Sequence, residues 1–189
     1  MQHAEATRRE AVQKLLSELR SSCSGSGSFQ DEERFADAAE SLQSLCTKDA
    51  AHKKVVLALD GIPPLVAPLL RGSVGEGALA AVAVLQVIVR GNTPGKDAIQ
   101  NANAIPPLVA MLKAGPRADI AQESLQALEE LTCGHEGSSN AVIAANGLPA
   151  VAMLAEQAHP GSSTQRQAIT TLLNIASVSY THLTLPTKA

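Results

Sequence analysis

The stretch Gly61-Ile62-Pro63-Pro64-Leu65-Val66 returns as Ala104-Ile105-Pro106-Pro107-Leu108-Val109, and in shorter form as Gly147-Leu148-Pro149-Ala150-Val151. Each return falls 43 residues after the one before. A period of this length marks a helical solenoid, in which no unit can bury its apolar face alone. The chain is therefore expected to stack repeats rather than to fold around one closed core.

Composition supports helices as the repeating element. Of the 189 residues 45% are hydrophobic but only 2% aromatic, so the interior must come from Leu, Val, Ile and Ala. Closely packed helices suit that mixture better than strands, which favour aromatic and β-branched residues. The formal net charge of −3 argues against nucleic acid as a partner, which calls for a clustered basic face. No apolar run approaches the ~18 residues of a membrane span. The start Met1-Gln2-His3 is polar, lacks a signal segment and excludes N-myristoylation. Cys23, Cys46 and Cys133 are odd in number and far apart, without a Cys-x-x-Cys pair. They read as free thiols of a reducing, intracellular compartment, cytoplasmic or nuclear. Cys46 and Cys133 end apolar helical runs and are expected to be buried.

Taken in order, residues 3 to about 20 predict an amphipathic helix with Val12, Leu15, Leu16 and Leu19 on one stripe. Residues 21–30 are Ser/Gly-rich and predict a linker. A helix over 31–46 follows, with Phe35, Ala38, Ala39, Leu42 and Leu45 inward. Then a triplet recurs: a short helix, one opened by the proline motif, and a long one. The first triplet covers about 49–59, 63–72 and 76–90, the second 96–102, 105–113 and 117–132, the third 138–145, 148–157 and 164–177. Paired prolines suit a helix start, where N–H groups have no intrahelical partner. Pro68 conflicts with its helix and should bend it. The third helix of each unit keeps the same register: Leu42, Leu85 and Leu128 are 43 apart, as are Leu45, Ile88 and Leu131. Leu172 and Ile175 slip by one residue.

This triplet resembles the armadillo repeat over about residues 31–177, most closely at 103–113 and at Leu172-Leu173-Asn174-Ile175-Ala176-Ser177. HEAT repeats, with two helices per unit, lack the short helix before the Gly-Ile-Pro motif. The resemblance implies an all-α, right-handed solenoid of about three repeats after a leading third helix. It also implies a concave groove, lined by third helices, that binds a protein or an extended peptide as a scaffold or adaptor. An alternative is the substrate-binding part of a larger armadillo-containing enzyme, such as a ubiquitin ligase.

Nuclear-import adaptors of that family carry Trp two residues before the third-helix Leu and Asn two after it. Here those positions hold Glu40 and Ser44, Ala83 and Val87, Gln126 and Glu130, then Thr170 and Asn174. Only Asn174 fits, and the chain has no Trp. The resemblance therefore gives Ala83, Val87, Gln126, Glu130, Thr170 and Asn174 as candidate groove residues, without the ladder by which those adaptors recognise a nuclear localisation signal.

Other motifs dissolve on inspection. Gly91-Asn92-Thr93-Pro94-Gly95-Lys96-Asp97 has three residues before its Gly-Lys where a phosphate loop needs four, and Asp97 replaces the magnesium-binding hydroxyl. The five histidines show no ligand spacing and read as surface residues. No catalytic residue, cofactor, metal or small-molecule substrate is expected.

Residues 178–187, Val-Ser-Tyr-Thr-His-Leu-Thr-Leu-Pro-Thr, leave the repeat pattern. They resemble a translated transposase adapter, GTC TCT TAT ACA CAT CTG ACG CTG CCG ACG. That resemblance makes 178–189 a non-native tail and implies a natural chain continuing past Ser177.

Overall fold

The computed structural model describes residues 2–24, 29–115 and 118–183, with the backbone alone for 2–4, 24 and 178–183. Every extended element among the described residues is helical. The helices are α1 (Gln2–Ser24), α2 (Phe29–Lys48), α3 (Ala50–Ala58), α4 (Ile62–Leu70), α5 (Glu76–Val89) and α6 (Thr93–Asn101). They continue as α7 (Ile105–Met111) with a 3-10 turn at Leu112–Ala114, α8 (Asp119–Thr132), α9 (Glu136–Ala144), α10 (Gly147–Gln157) and α11 (Ser163–Leu183).

The helices stack in three rows. The long third helices α2, α5, α8 and α11 lie side by side. The proline-opened helices α4, α7 and α10 form a second row, each packed on the long helix that follows it. The short helices α3, α6 and α9 form the third row. Helix α1 takes a place in the second row, because it packs on α2 as α4 packs on α5 and also touches α4. Val12, Leu16 and Leu19 are fully buried there. The N-terminal helix is thus the second helix of a partial leading repeat. It also runs to Ser24, into the stretch expected as linker, while 25–28 lie outside the described residues.

Backbone geometry repeats with the sequence. Asp60, Asn103 and Asn146 all have positive φ, at 51°, 56° and 56°, and close the short helix of each unit. Asn and Asp tolerate this left-handed region because their short polar side chains bond locally. Gly91 and Gly134, with φ of 62° and 61°, do the same after two third helices.

The expected core is present. Leu42, Leu85 and Leu128 are buried, as are Ile88 and Leu131. Leu45 is only half-buried, and so is Leu172 after the register slip. Burial of α5 between α2, α4, α6 and α8 explains why it is apolar almost all round. Pro68 is accommodated near the end of α4, which stops at Leu70. Its missing N–H leaves the Pro64 carbonyl without its usual partner, and the Cys23 thiol donates to that oxygen at 3.5 Å.

Two expectations are corrected. Cys133 is exposed, because it caps α8 in an extended conformation rather than ending on its inner face. His135 is no ordinary surface residue: its side chain is 11% exposed and it caps α9. Helix α11 passes through Ser177 as far as Leu183, and residues 184–189 of the expected tail lie outside the described residues.

Candidate functional site

The third-helix row presents one face to solvent, and the sequence candidates lie along it. Ala83 and Val87 are half-buried on α5, but they differ in kind. Ala83 borders a depression of about 490 Å³ that spans α2, α5 and α8, whereas Val87 packs against the core. Gln126 is half-buried on α8. Glu130 is already engaged: its Oε1 accepts from Arg90 Nε at 2.9 Å, tying α8 to α5. Thr170 donates its hydroxyl to the Arg166 carbonyl at 2.9 Å, within its own helix. Asn174 donates from Nδ2 to the Glu129 carbonyl at 3.3 Å and lies 3.4 Å from the Thr132 hydroxyl. The same carbonyl also accepts from the Cys133 N–H and the Thr132 hydroxyl, so Asn174 adds a further donor, from α11, to the last turn of α8.

The depression brings together residues that the ladder comparison missed. Glu33, Asp37 and Glu40 line it from α2, Glu76 from α5 and Glu123 from α8. Its floor is small and apolar, formed by Ala36, Leu79, Ala80 and Ala83. Gln86, only 6% exposed, donates from Nε2 to Glu123 Oε2 at 3.3 Å and positions that carboxylate. The signal was present as a register: Glu33 and Glu76 are 43 residues apart, and Glu123 lies the same distance beyond Ala80.

Electrostatics at the far end of the row are different. Burial raises the Glu129 carboxyl above its ordinary value, and Glu130 raises it further, while Arg90 lowers it. A second cavity, of about 210 Å³, lies beside Cys23, Phe35, Pro68 and Arg71. Burial pushes the Cys23 thiol up, against the lowering effect of Arg71, which keeps it protonated and a poor nucleophile. Among the described residues no group of three or more His, Cys, Asp or Glu could hold a metal ion. Among the described residues no single helix is long and apolar enough to cross a membrane.

Three stacked rows with a short, a proline-opened and a long helix per unit define an all-α solenoid of armadillo type. Residues 92–133, covering α6, α7 and α8, match the family described as Armadillo/beta-catenin-like repeat. That unit is an armadillo repeat. Two crystal structures of engineered proteins from a structural genomics consortium share the fold. The first has a TM-score of 0.73 at 23% identity over 88% of this chain, the second 0.72 at 23% over 87%. This chain spans 63% and 37% of those proteins, respectively. No curated protein matches it.

Proposed function

We propose that the chain is a protein-binding scaffold whose third-helix face holds a partner protein or an extended peptide. The observation that carries this reading is the depression across α2, α5 and α8, floored by small apolar side chains and walled by polar ones. A solenoid offers such a face over several repeats without moving its core. The scaffold acts by binding rather than by catalysis, and its free thiols suit an intracellular setting, cytoplasmic or nuclear.

Ala83 is the best handle on the site, since Val87 also supports the core. Affinity capture with the native chain is compared with Ala83→Arg, which fills the depression, and with Gln126→Ala. Loss of captured proteins at unchanged thermal unfolding supports the reading. Full retention by both variants removes this face as the binding surface.

A further inference from the structure

We propose that the joint between the second and third units, where α6 meets α9, is acid-sensitive: a neutral His135 holds it, and it loosens when that ring takes a second proton. The position belongs to the repeat. Asp49, Asn92 and His135 stand 43 residues apart, and each directly precedes a short helix. Lys54 on α3 and Asp97 on α6 are likewise 43 apart. The first joint therefore holds Lys54 and Asn92 at these places, the second Asp97 and His135. Only the second pair includes a side chain whose charge changes between about pH 5 and 8.

Two bonds fix the state of the ring. The Ser138 N–H can only donate, and it donates to His135 Nδ1 at 3.1 Å, so Nδ1 is the bare nitrogen. The hydroxyl of Ser138, a fully buried residue, lies 2.8 Å from the same nitrogen and donates to it as well. Nε2 then carries the ring proton and donates it to Asp97 Oδ1 at 3.0 Å, across the joint. A second proton has one place to go, Nδ1, where it turns the acceptor into a donor. The Ser138 hydroxyl can rotate to accept. The Ser138 N–H cannot, and it loses its partner in the first turn of α9, where no helical carbonyl is available.

Charges around the ring pull both ways. Asp97 favours the imidazolium, as does Glu136 in the first turn of α9, while buried Lys96 on α6 and the positive end of the α9 dipole oppose it. Of the other helices packed on α9, α8 brings Glu129 and Glu130 in its last turns and Cys133 after them, α10 brings Glu156 and α11 Arg166; α7 carries no charged residue. Asp97 is 59% exposed, so its attraction for a charged ring counts for little, whereas the cap that is lost belongs to a buried residue. Because α9 also packs on α7, α10 and α11, its first turn bears on how the last unit is held to the array.

The test is amide hydrogen exchange of the full chain, read by NMR at about pH 7.5 and about pH 5.5 and corrected for the intrinsic pH dependence of exchange. The amides of α4, a helix with no titratable side chain, serve as the reference. At the lower pH, protection of the Ser138 amide should fall about three- to tenfold more than protection in α4. His135→Asn, which gives the third unit the residue of the second, should remove that difference. Asp97→Asn should enlarge it, by taking the counter-charge from the protonated ring. Ring nitrogen shifts at the higher pH should place the proton on Nε2. Parallel changes in α9 and α4, a fall that persists in His135→Asn or shrinks in Asp97→Asn, or a proton on Nδ1 at the higher pH overturns the proposal.

Discussion

Lys96 donates from its Nζ to the backbone carbonyl of Cys133 at 2.6 Å, closing the end of α8 from the neighbouring short helix. Lys53 makes the equivalent bond to the Arg90 carbonyl at the end of α5, at 3.1 Å. Both partners are 43 residues apart between the two units, so the cap belongs to the repeat itself. Ser139 takes the same place in the third unit, where its hydroxyl is buried without a hydrogen-bond partner among the described residues.

Lys96→Met should therefore cost about 1.5–3 kcal/mol, the range for a hydrogen bond to a charged group. Lys96 itself is only 7% exposed, and its bond to the carbonyl is partly buried. Ser139→Ala should do the reverse and stabilise by about 1 kcal/mol, by removing an unpaired buried hydroxyl. Chemical denaturation of both variants checks the pair of signs.

Leu128 and Glu129 are neighbours with opposite roles. Leu128→Ala should cost about 2–5 kcal/mol, because the side chain is fully buried in the continuous core. Glu129→Gln should be neutral or slightly stabilising at neutral pH, by no more than about 0.5 kcal/mol after solvent screening. Its folded carboxyl is raised above the ordinary 4.5, so the folded state binds the proton more tightly. That relation lowers stability as pH rises through the window just above 4.5, and Glu129→Gln should flatten the decline there. Equal losses for the two variants would refute the assigned register.

Cys46 makes the alkaline limb of the stability curve informative. Burial raises its thiol from an ordinary 9.0 to about 11, with Lys53 pulling the other way. Between these values the unfolded chain loses the proton while the folded chain keeps it. Stability must then fall as pH rises through that window, by about 1–3 kcal/mol in all. Cys46→Ala lowers the whole curve through its cavity but should remove this part of the slope. Urea titrations at several alkaline pH values compare the slopes.

Ile169 and Leu173 lie one helical turn apart on α11 and are 47% and 63% exposed, whereas Ile175 is buried. An apolar strip of this kind favours association. Light scattering of the chain should rise with concentration, and Ile169→Glu/Leu173→Glu should suppress the rise without changing helicity. A native chain that stays monomeric at high concentration excludes this strip as a contact.

Much of the architecture was legible in the chain. The recurring proline motif and the leucines at 42, 85 and 128 report local helix starts and one buried stripe per helix, both properties of short sequence windows. Such features survive translation from sequence to structure because helix periodicity alone decides which side chains share a face. Charge pairing along the third-helix row was not legible in that way. Gln86 meets Glu123, Arg90 meets Glu130, and Asn174 reaches the Glu129 carbonyl, each across 37–45 residues of chain.

The sequence by itself determined the repeat period, the helix order, the landmark leucines and the class of fold. Tertiary structure decided that α1 completes the second row, that Val87 supports the core while Ala83 borders the depression, and that Glu33, Asp37, Glu40, Glu76 and Glu123 line one depression from three helices. The physical reason is one of range. Helix formation and amphipathic burial follow from neighbours within a few turns, but the meeting of side chains from successive repeats depends on how far each unit is turned against the last.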